Sequence, residues 1–381
     1  MVTTQAPKSA QSEQTKKSVV ELAQAIWDSY DIASPQIDLT SDVQKKLIWI
    51  ARYLSRNDSL LKRYESRVHS KLLENINENP PEIRDIPHIS IEDINPTSLP
   101  ELLSCDFPVV IKGVYKDSAA VQQWSLDFLK THYGQSLVPC VEYFFKDDDT
   151  EPYYNRHDLL ETTLENAIEM MREGDRKYTV GCASLFDQHP QLLAQIDIGK
   201  IERSFDCEVV RPEFFIGSTQ NLSYYHCAPA ANIFNQIHGE KEWIFVAPWH
   251  GAWMYPNVGH RKSGVYFASP VITSQQAKDS SQYPLYEKIP KFRAKVSPGD
   301  ILYNPPWWWH EVSNLSESIG VAMRVPSLGG LHSNGLLFNC LAFASPSVIE
   351  FLIAKTKSQI LHPGKRFMDL DDSDLKKSLK R

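Results

Sequence analysis

The chain has 381 residues, of which 42% are hydrophobic and 23% are charged, and its net charge is −7. This length allows one large or two moderate domains with a well-buried core, and the composition is that of an ordinary globular protein. The negative balance argues against a surface that follows nucleic-acid phosphates, so we expect no nucleic-acid partner.

The same sequence predicts a cytoplasmic protein without a membrane segment. Residues 1–18 are polar and lack the apolar centre of a secretory signal. No run of about 18 apolar residues occurs, which is the length that a membrane-spanning helix needs. The six cysteines are scattered and form no CxxC pair, a pattern that fits free thiols in a reducing compartment.

Helical segments are predicted at both ends of the chain. Residues 1–18 are expected to form a mobile tail, and residues 19–80 a helical region that includes a helix over Leu60–Ile76 and ends at Pro80-Pro81. Residues 331–381 have helical spacing again. The N-terminal helices favour either a docking or dimerisation element or a lid that packs on the central domain, and a homodimer through the terminal helices is one expectation.

The central region, residues 81–330, is predicted to be mainly β. Pro87–Ile94 is expected to form an edge strand and Phe107–Val114 a buried strand, whereas Leu159–Glu173 is predicted as one helix. Short strands without intervening helices dominate from Cys207 to Val325. That density indicates a barrel or double-sheet jelly roll, so the predicted fold class is a double-stranded β-helix with flanking helices.

Two histidines on separate strands carry the strongest chemical signal. His226 follows a strand-like run, and His310 ends a segment that begins with a Pro-Gly-Asp turn and continues through three tryptophans. Imidazole suits ferrous iron, and two imidazoles with one carboxylate make the facial arrangement of non-haem iron oxygenases. The acid normally stands two residues after the first histidine, where this chain has Ala228.

From about Pro108 to Val325 the sequence resembles the JmjC-type, cupin-like oxygenases that use Fe(II), 2-oxoglutarate and O2. The matching motifs are Pro108–Gly113, His226–Asn232, Gln236–Lys241 and Pro298–His310. The resemblance implies that His226 and His310 bind iron and that Lys241 pairs with the far carboxylate of 2-oxoglutarate. It also implies that Ser223 assists at that carboxylate and that Asn232 lines the same pocket.

The alanine leaves three interpretations open. In the first, Ala228 makes room for a chloride or bromide ion on the iron, as a small residue does in radical halogenases of the same superfamily. The halide then supplies the missing negative charge and is transferred to a carbon of the substrate. We favour this interpretation over a non-catalytic protein because the histidines, Lys241 and Ser223 are all retained. The predicted substrate is a small molecule or an amino acid.

The second interpretation is a hydroxylase whose third iron position is filled by water or by an acid from elsewhere. Glu311 is a poor substitute because neighbouring side chains on a strand point to opposite faces, and Glu213, Glu240 and Asp300 fit turn or strand-face positions. The third interpretation is a non-catalytic binding protein that has kept the fold. Among the aromatic residues, Trp307, Trp308 and Trp309 are expected to divide between the core and the pocket wall.

Overall fold

The structure is a computed structural model that describes residues 16–30, 59–74, 82–143, 159–173, 177–219, 221–255, 257–261, 264–269, 271, 283–325 and 327. Several predictions therefore lie outside the described residues. These are the first fifteen residues of the predicted tail, residues 31–58 of the predicted N-terminal helical region, and the C-terminal helical region over 331–381.

The strands form two sheets. In chain order they are β1 (Arg84–Asp85), β2 (His88–Ser90), β3 (Val109–Lys112), β4 (Leu137–Tyr143), β5 (Leu159–Thr163), β6 (Lys177–Cys182), β7 (Arg211–Gly217), β8 (Leu222–Cys227), β9 (Ala231–His238), β10 (Lys241–Val246), β11 (Asn257–Arg261), β12 (Gly264–Ala268), β13 (Phe292–Val296), β14 (Ile301–Asn304), β15 (Trp309–Asn314) and β16 (Ser318–Val325). The minor sheet has the order β1-β13-β10-β15-β8-β12-β11, and the major sheet has the order β2-β3-β14-β9-β16-β7-β6-β4-β5.

Helices flank these sheets. The α-helices are α1 (Val19–Asp28), α2 (Ser59–Glu74), α3 (Ala119–Gln123), α4 (Leu126–Tyr133), α5 (Leu164–Arg172), α6 (Ser184–Gln188), α7 (Gln191–Gln195), α8 (Ile198–Phe205) and α9 (Pro284–Glu287), and two 3-10 helices span Pro96–Ser104 and Pro248–Met254. Among the described residues, no helix is both long enough and apolar enough to cross a membrane.

Three apolar clusters hold the layers together. The cluster between the sheets contains Phe234 and Leu302 from the major sheet and Trp243 and Phe245 from the minor sheet. A second cluster lies between the major sheet and the helices that cover it, and a third covers the outer face of the minor sheet. Two facing sheets with alternating inward side chains make a jelly roll. The predicted mainly-β fold with flanking helices is confirmed, although the strands form two open sheets rather than one closed barrel.

The predicted single helix over Leu159–Glu173 is wrong in its first third. Leu159–Thr163 pairs with β4 as the edge strand of the major sheet, and the helix begins only at Leu164 because the hydroxyl group of Thr163 accepts from the backbone N–H of Asn166, 3.3 Å away. Apolar periodicity does not separate the end of a strand from the start of a helix, whereas a threonine cap does.

The first helix packs on the jelly roll. Val19 and Ala23 are fully buried, and Trp27 lies edge-on to Phe292 with ring centroids 4.6 Å apart and is also close to Trp308. The apolar face of α1 is therefore covered within the chain, which is how a packing element behaves. The homodimer through the terminal helices stays a prediction.

Candidate active site

The two histidines meet on adjacent strands of the minor sheet. His226 on β8 pairs in register with His310 on β15, and their ring centroids are 4.2 Å apart with an interplanar angle of 55°. Side chains at directly opposite positions of an antiparallel pair lie on the same face. The sequence places these residues far apart, and strand pairing brings both imidazoles to one point between the sheets.

The surroundings of His310 favour a neutral ring with a free lone pair. His310 is buried, and its Nδ1 lies 2.9 Å from the carbonyl oxygen of Trp308, to which it donates. That bond places the proton on Nδ1 and leaves Nε2 as the available ligand atom. Burial, followed by the nearby His226, lowers the pKa of His310 well below its usual range. Neutral imidazole is the form that binds a metal.

Ala228 lies just beyond the end of β8, and its carbonyl oxygen accepts a 2.8 Å hydrogen bond from the backbone N–H of Trp307. On an extended chain, a residue two positions after His226 returns to the same face. Among the residues that the structure describes, no three His, Cys, Asp or Glu side chains come close enough to hold a metal ion. Within that part of the chain, no acid substitutes for the missing ligand.

The alternative acids have structural partners of their own. The Asp300 carboxylate accepts from the backbone N–H groups of Gly113 and Ser297, at 3.0 and 3.1 Å, within the predicted turn. The Glu213 carboxylate forms an ion pair with Arg324 at 3.3 Å. These contacts match the turn and strand-face positions expected from the sequence.

Trp307 adopts an uncommon backbone conformation beside the histidines. Its φ is 67°, in the left-handed region, where a bulky residue costs of order 1–3 kcal/mol. Its buried ring packs edge-on against Phe267 at 5.2 Å, which offsets part of that cost. All three tryptophans are buried. Trp308 packs between the sheets and Trp309 packs with Trp307 outside the minor sheet, so packing accounts for the whole run.

Lys241 is a buried lysine with a strongly shifted pKa. It is 5% exposed, and its amine group donates to the side-chain oxygen of Asn314. The side-chain NH2 group of Asn314 donates in turn to the carbonyl oxygen of Ser218 at 3.0 Å. Within the described part of the chain it forms no ion pair, and burial lowers the pKa of Lys241 to about 7. A buried charge of this kind is costly unless it is paired. An anion that contacts Lys241 would therefore favour its charged form.

The position of Lys241 suits a short dicarboxylate that reaches the histidines. Lys241 pairs with Asn314 across β10 and β15, and Phe245 pairs with His310 on the same strands. Four residues along a strand span about 13 Å between Cα atoms. The lysine side chain and a five-carbon oxo-acid can together cover that distance. The two imidazoles and the unpaired lysine fit an iron ion that carries 2-oxoglutarate, but they do not complete a three-ligand protein site.

The other two predicted cofactor residues lie on neighbouring strands. The Ser223 hydroxyl oxygen accepts from the backbone N–H of Val312 at 3.1 Å, which leaves its O–H group as a donor. Asn232 is buried at the start of β9, where it faces Asn304 on β14. Both residues lie on strands that run beside β15 or across from it.

Sequence reasoning missed the residues that surround the predicted ligands. Trp243 stacks on His310 with centroids 5.3 Å apart, and the amide group of Asn304 lies 3.2 Å from Nδ1 of His310. Strand alternation held a signal for Asn314, because His310, Val312 and Asn314 occupy every second position of β15. The contact between Asn304 and His310 depends on how the two sheets pack face to face, which no local sequence pattern encodes.

Replacing His310 with alanine should abolish iron binding, because a single remaining imidazole cannot hold the ion. Iron content after anaerobic reconstitution and desalting measures this, with His238→Ala at the far end of β9 as the matched control. Retention of one iron per chain by the His310→Ala protein would mean that the second ligand lies elsewhere.

Comparison with known proteins agrees with the fold. Residues 97–325 match the model of the cupin-like domain family. The chain is 24% identical over 221 residues to Jumonji C domain-containing protein 5 of Drosophila melanogaster, covering 56% of this chain and 53% of that protein. It is 25% identical over 224 residues to lysine-specific demethylase 8 of Xenopus tropicalis, covering 56% and 47%.

A further relative is tRNA wybutosine-synthesizing protein 5 of Gallus gallus, at 24% identity over 240 residues, covering 57% of this chain and 69% of that protein. The chain spans about half the length of the first two relatives. The matched segment includes β3 to β16 and therefore both strands that carry the histidines. The chain belongs to the cupin-like domain family.

Proposed function

We propose that this chain is an iron(II)- and 2-oxoglutarate-dependent oxidoreductase, and that it halogenates an unactivated C–H bond of a small molecule or amino acid. The observation that carries the proposal is Ala228, which stands beside two paired histidines where an acid would complete the metal site. A vacant anionic position next to a divalent ion favours an anion from solution.

Each retained residue has a part in this proposal. His226 and His310 hold the ion through neutral imidazoles. Lys241 binds the far carboxylate of 2-oxoglutarate, and the Ser223 O–H group donates to the same carboxylate. Asn232 orients the part of the oxo-acid that lies nearer to the ion. Ala228 keeps one position clear with a side chain that cannot coordinate.

The bound ion and oxo-acid supply the oxidation of a C–H bond, in which 2-oxoglutarate, O2, chloride, a proton and the substrate yield succinate, CO2, water and the chlorinated product. Trp243 covers one face of His310, and Trp308 packs in the apolar cluster between the sheets. Low-dielectric surroundings of this kind strengthen the attraction between the halide and the ion.

A second candidate is oxygen transfer to a substrate. It is favoured by the relatives, whose names describe a demethylase and a tRNA-modifying protein. Under this candidate, water takes the position beside Ala228. The two candidates share both cofactors and differ in whether chloride reaches the metal.

The decisive experiment is an anaerobic titration of the metal-free protein with Fe(II) and 2-oxoglutarate in chloride-free buffer, followed by chloride or bromide. We expect an iron–oxo-acid charge-transfer band in the visible region that shifts when halide is added, with saturation at one site. Sodium sulfate at equal ionic strength is the control, since surface charge effects respond to both salts.

The remaining outcomes separate the alternatives. A band that chloride leaves unchanged would replace halogenation with oxygen transfer. Failure of any band to form, while the protein stays folded by circular dichroism, would assign the chain a non-catalytic binding role.

A further inference from the structure

A row of polar side chains crosses the inner face of the major sheet beside the histidines. This polar row consists of Asn304 on β14, Asn232 on β9, Arg324 on β16 and Glu213 on β7. Asn304 faces Asn232, and Asn232 faces Arg324, in the strand register. Each member lies two residues from a side chain that packs between the sheets, namely Leu302, Phe234, Ala322 or Phe215. By strand alternation the polar row therefore points into the same space as the histidines.

The polar row reaches the candidate metal site directly. The amide group of Asn304 lies 3.2 Å from Nδ1 of His310. Arg324 lies two strands from Asn304 in the same register, with Asn232 between them. A ligand held along the polar row would place its nearest carbons beside the ion that the two histidines hold.

Two members of the polar row are incompletely satisfied. The side-chain oxygens of Asn232 and Asn304 are buried and, among the described residues, have no hydrogen-bond partner. Both residues are less than 5% exposed. Most buried polar atoms in folded proteins are bonded, and each one left unpaired costs about 1–3 kcal/mol. Whichever way each amide is turned, one polar atom remains for a ligand.

The other two members offer opposite charges. Arg324 and Glu213 form one N–O contact at 3.3 Å, and their side chains are 25% and 36% exposed. A guanidinium group has five N–H donors in a fork that matches a carboxylate, so most of them remain for a ligand. Glu213 can accept from an ammonium group on the same ligand. The Arg324–Glu213 pair lies on the inner face of the major sheet.

We propose that the polar row binds the head group of a free amino acid, with the carboxylate on Arg324 and the ammonium group on the neighbouring Glu213. The amino-acid side chain then extends toward His226 and His310. A peptide segment fits less well, because its backbone carries neither charge. The inference rests on the proposed function, for which the bound amino acid is the substrate.

The test uses the iron(II)–2-oxoglutarate protein under nitrogen and the twenty proteinogenic L-amino acids, one at a time. Isothermal titration calorimetry gives the dissociation constant, and the charge-transfer band reports changes at the metal. We expect at least one amino acid to bind and to perturb the band. Its N-acetyl and methyl ester derivatives, each of which lacks one charge, should bind roughly 100-fold more weakly.

Two single substitutions, Arg324→Gln and Glu213→Gln, should each weaken binding of that amino acid by a similar factor without changing the affinity for 2-oxoglutarate. The matched control is Arg293→Gln, which removes an exposed cross-strand pair with Asp85 at 2.7 Å and should leave binding unchanged. A double exchange, Glu213→Arg with Arg324→Glu, should restore the melting temperature but not the binding, because the head group would then be reversed.

Absence of binding by all twenty amino acids to a protein that shows the normal charge-transfer band would overturn the inference and leave the proposed function intact. Equal affinity for the N-acetyl derivative would also overturn it. Recovery of binding together with the melting temperature in the double exchange would show that the pair is only structural. Amino-acid binding without a charge-transfer band would support the polar row and reject the proposed function.

Discussion

Replacing Lys241 with methionine should weaken binding of 2-oxoglutarate roughly 100-fold and, at the same time, stabilise the ligand-free protein. The first effect follows from the loss of a buried, charge-assisted bond, worth about 3 kcal/mol. The second follows because Lys241 is buried without an ion pair among the described residues. Methionine fills a similar volume without a charge to desolvate.

The pH dependence of this stabilisation has a definite sign. The pKa of Lys241 falls from its ordinary 10.5 to about 7 in the folded protein. Between these values the unfolded chain holds the proton and the folded chain does not, so raising the pH stabilises the folded wild-type protein by about 1.4 kcal/mol per pH step from this group. The stability advantage of Lys241→Met should therefore be largest near pH 7 and shrink toward pH 10.

The same lysine predicts proton uptake on binding. At pH 8 the free protein carries mostly neutral Lys241, whereas the complex with 2-oxoglutarate carries the ammonium form, so close to one proton should enter per site. Near pH 6 the uptake should almost vanish. Calorimetry of the iron-loaded protein under nitrogen, in buffers of different ionisation enthalpy, measures the number directly.

The matched control for both measurements is Lys295→Met, since Lys295 lies on β13 and faces solvent. It should alter neither the affinity for 2-oxoglutarate nor the proton uptake. Full retention of affinity by the Lys241→Met protein would remove Lys241 from the site, and proton uptake in that variant equal to wild type would mean that another group titrates.

Replacing Ala228 with aspartate should complete a three-ligand iron site and close it to halide. Ala228 is partly exposed, so a longer side chain has room beside the histidines. The new carboxylate supplies the third ligand and the missing negative charge. We expect tighter iron binding and a charge-transfer band that no longer responds to chloride. With a substrate in hand, the product should shift from halogenated to hydroxylated.

The iron affinity and the chloride response need no knowledge of the substrate, so both can be measured at once. The matched control is Ala230→Asp, which adds the same charge two residues further along and should change neither property. A charge-transfer band that shifts with chloride as much in the Ala228→Asp protein as in wild type would show that the halide does not occupy this position.

Much of the fold could be predicted because it depends on local patterns. Alternation and turn residues predicted the strands from Cys207 to Val325. That the two histidines lie on different strands was also predicted, and the pairing of β8 with β15 brings them together. The choice between a closed barrel and two open sheets could not be predicted, because it depends on which strand edges remain unpaired after the helices pack. The strand at Leu159 was missed for a similar reason, since its pairing with β4 is not local.

The site was predictable where chemistry restricts the residue type, as at His226, His310 and Lys241. The site was not predictable where contacts with a neighbouring strand or with the facing sheet decide the role of a residue. Strand pairing brings Asn314 to Lys241, and the packing of one sheet on the other brings Asn304 to His310. The place of Arg324 and Glu213 likewise could not be predicted, because sequence alone does not distinguish an inner from an outer face near a strand end.

The hydrogen bond from Trp307 to the Ala228 carbonyl joins the end of the first ligand strand to the start of the second. The left-handed turn that makes this bond is held by the buried tryptophan ring. Strand pairing and this hydrogen bond thus fix the separation of the two imidazoles before an ion binds. Metal exchange then requires little refolding, and the empty protein should remain ready to accept iron repeatedly.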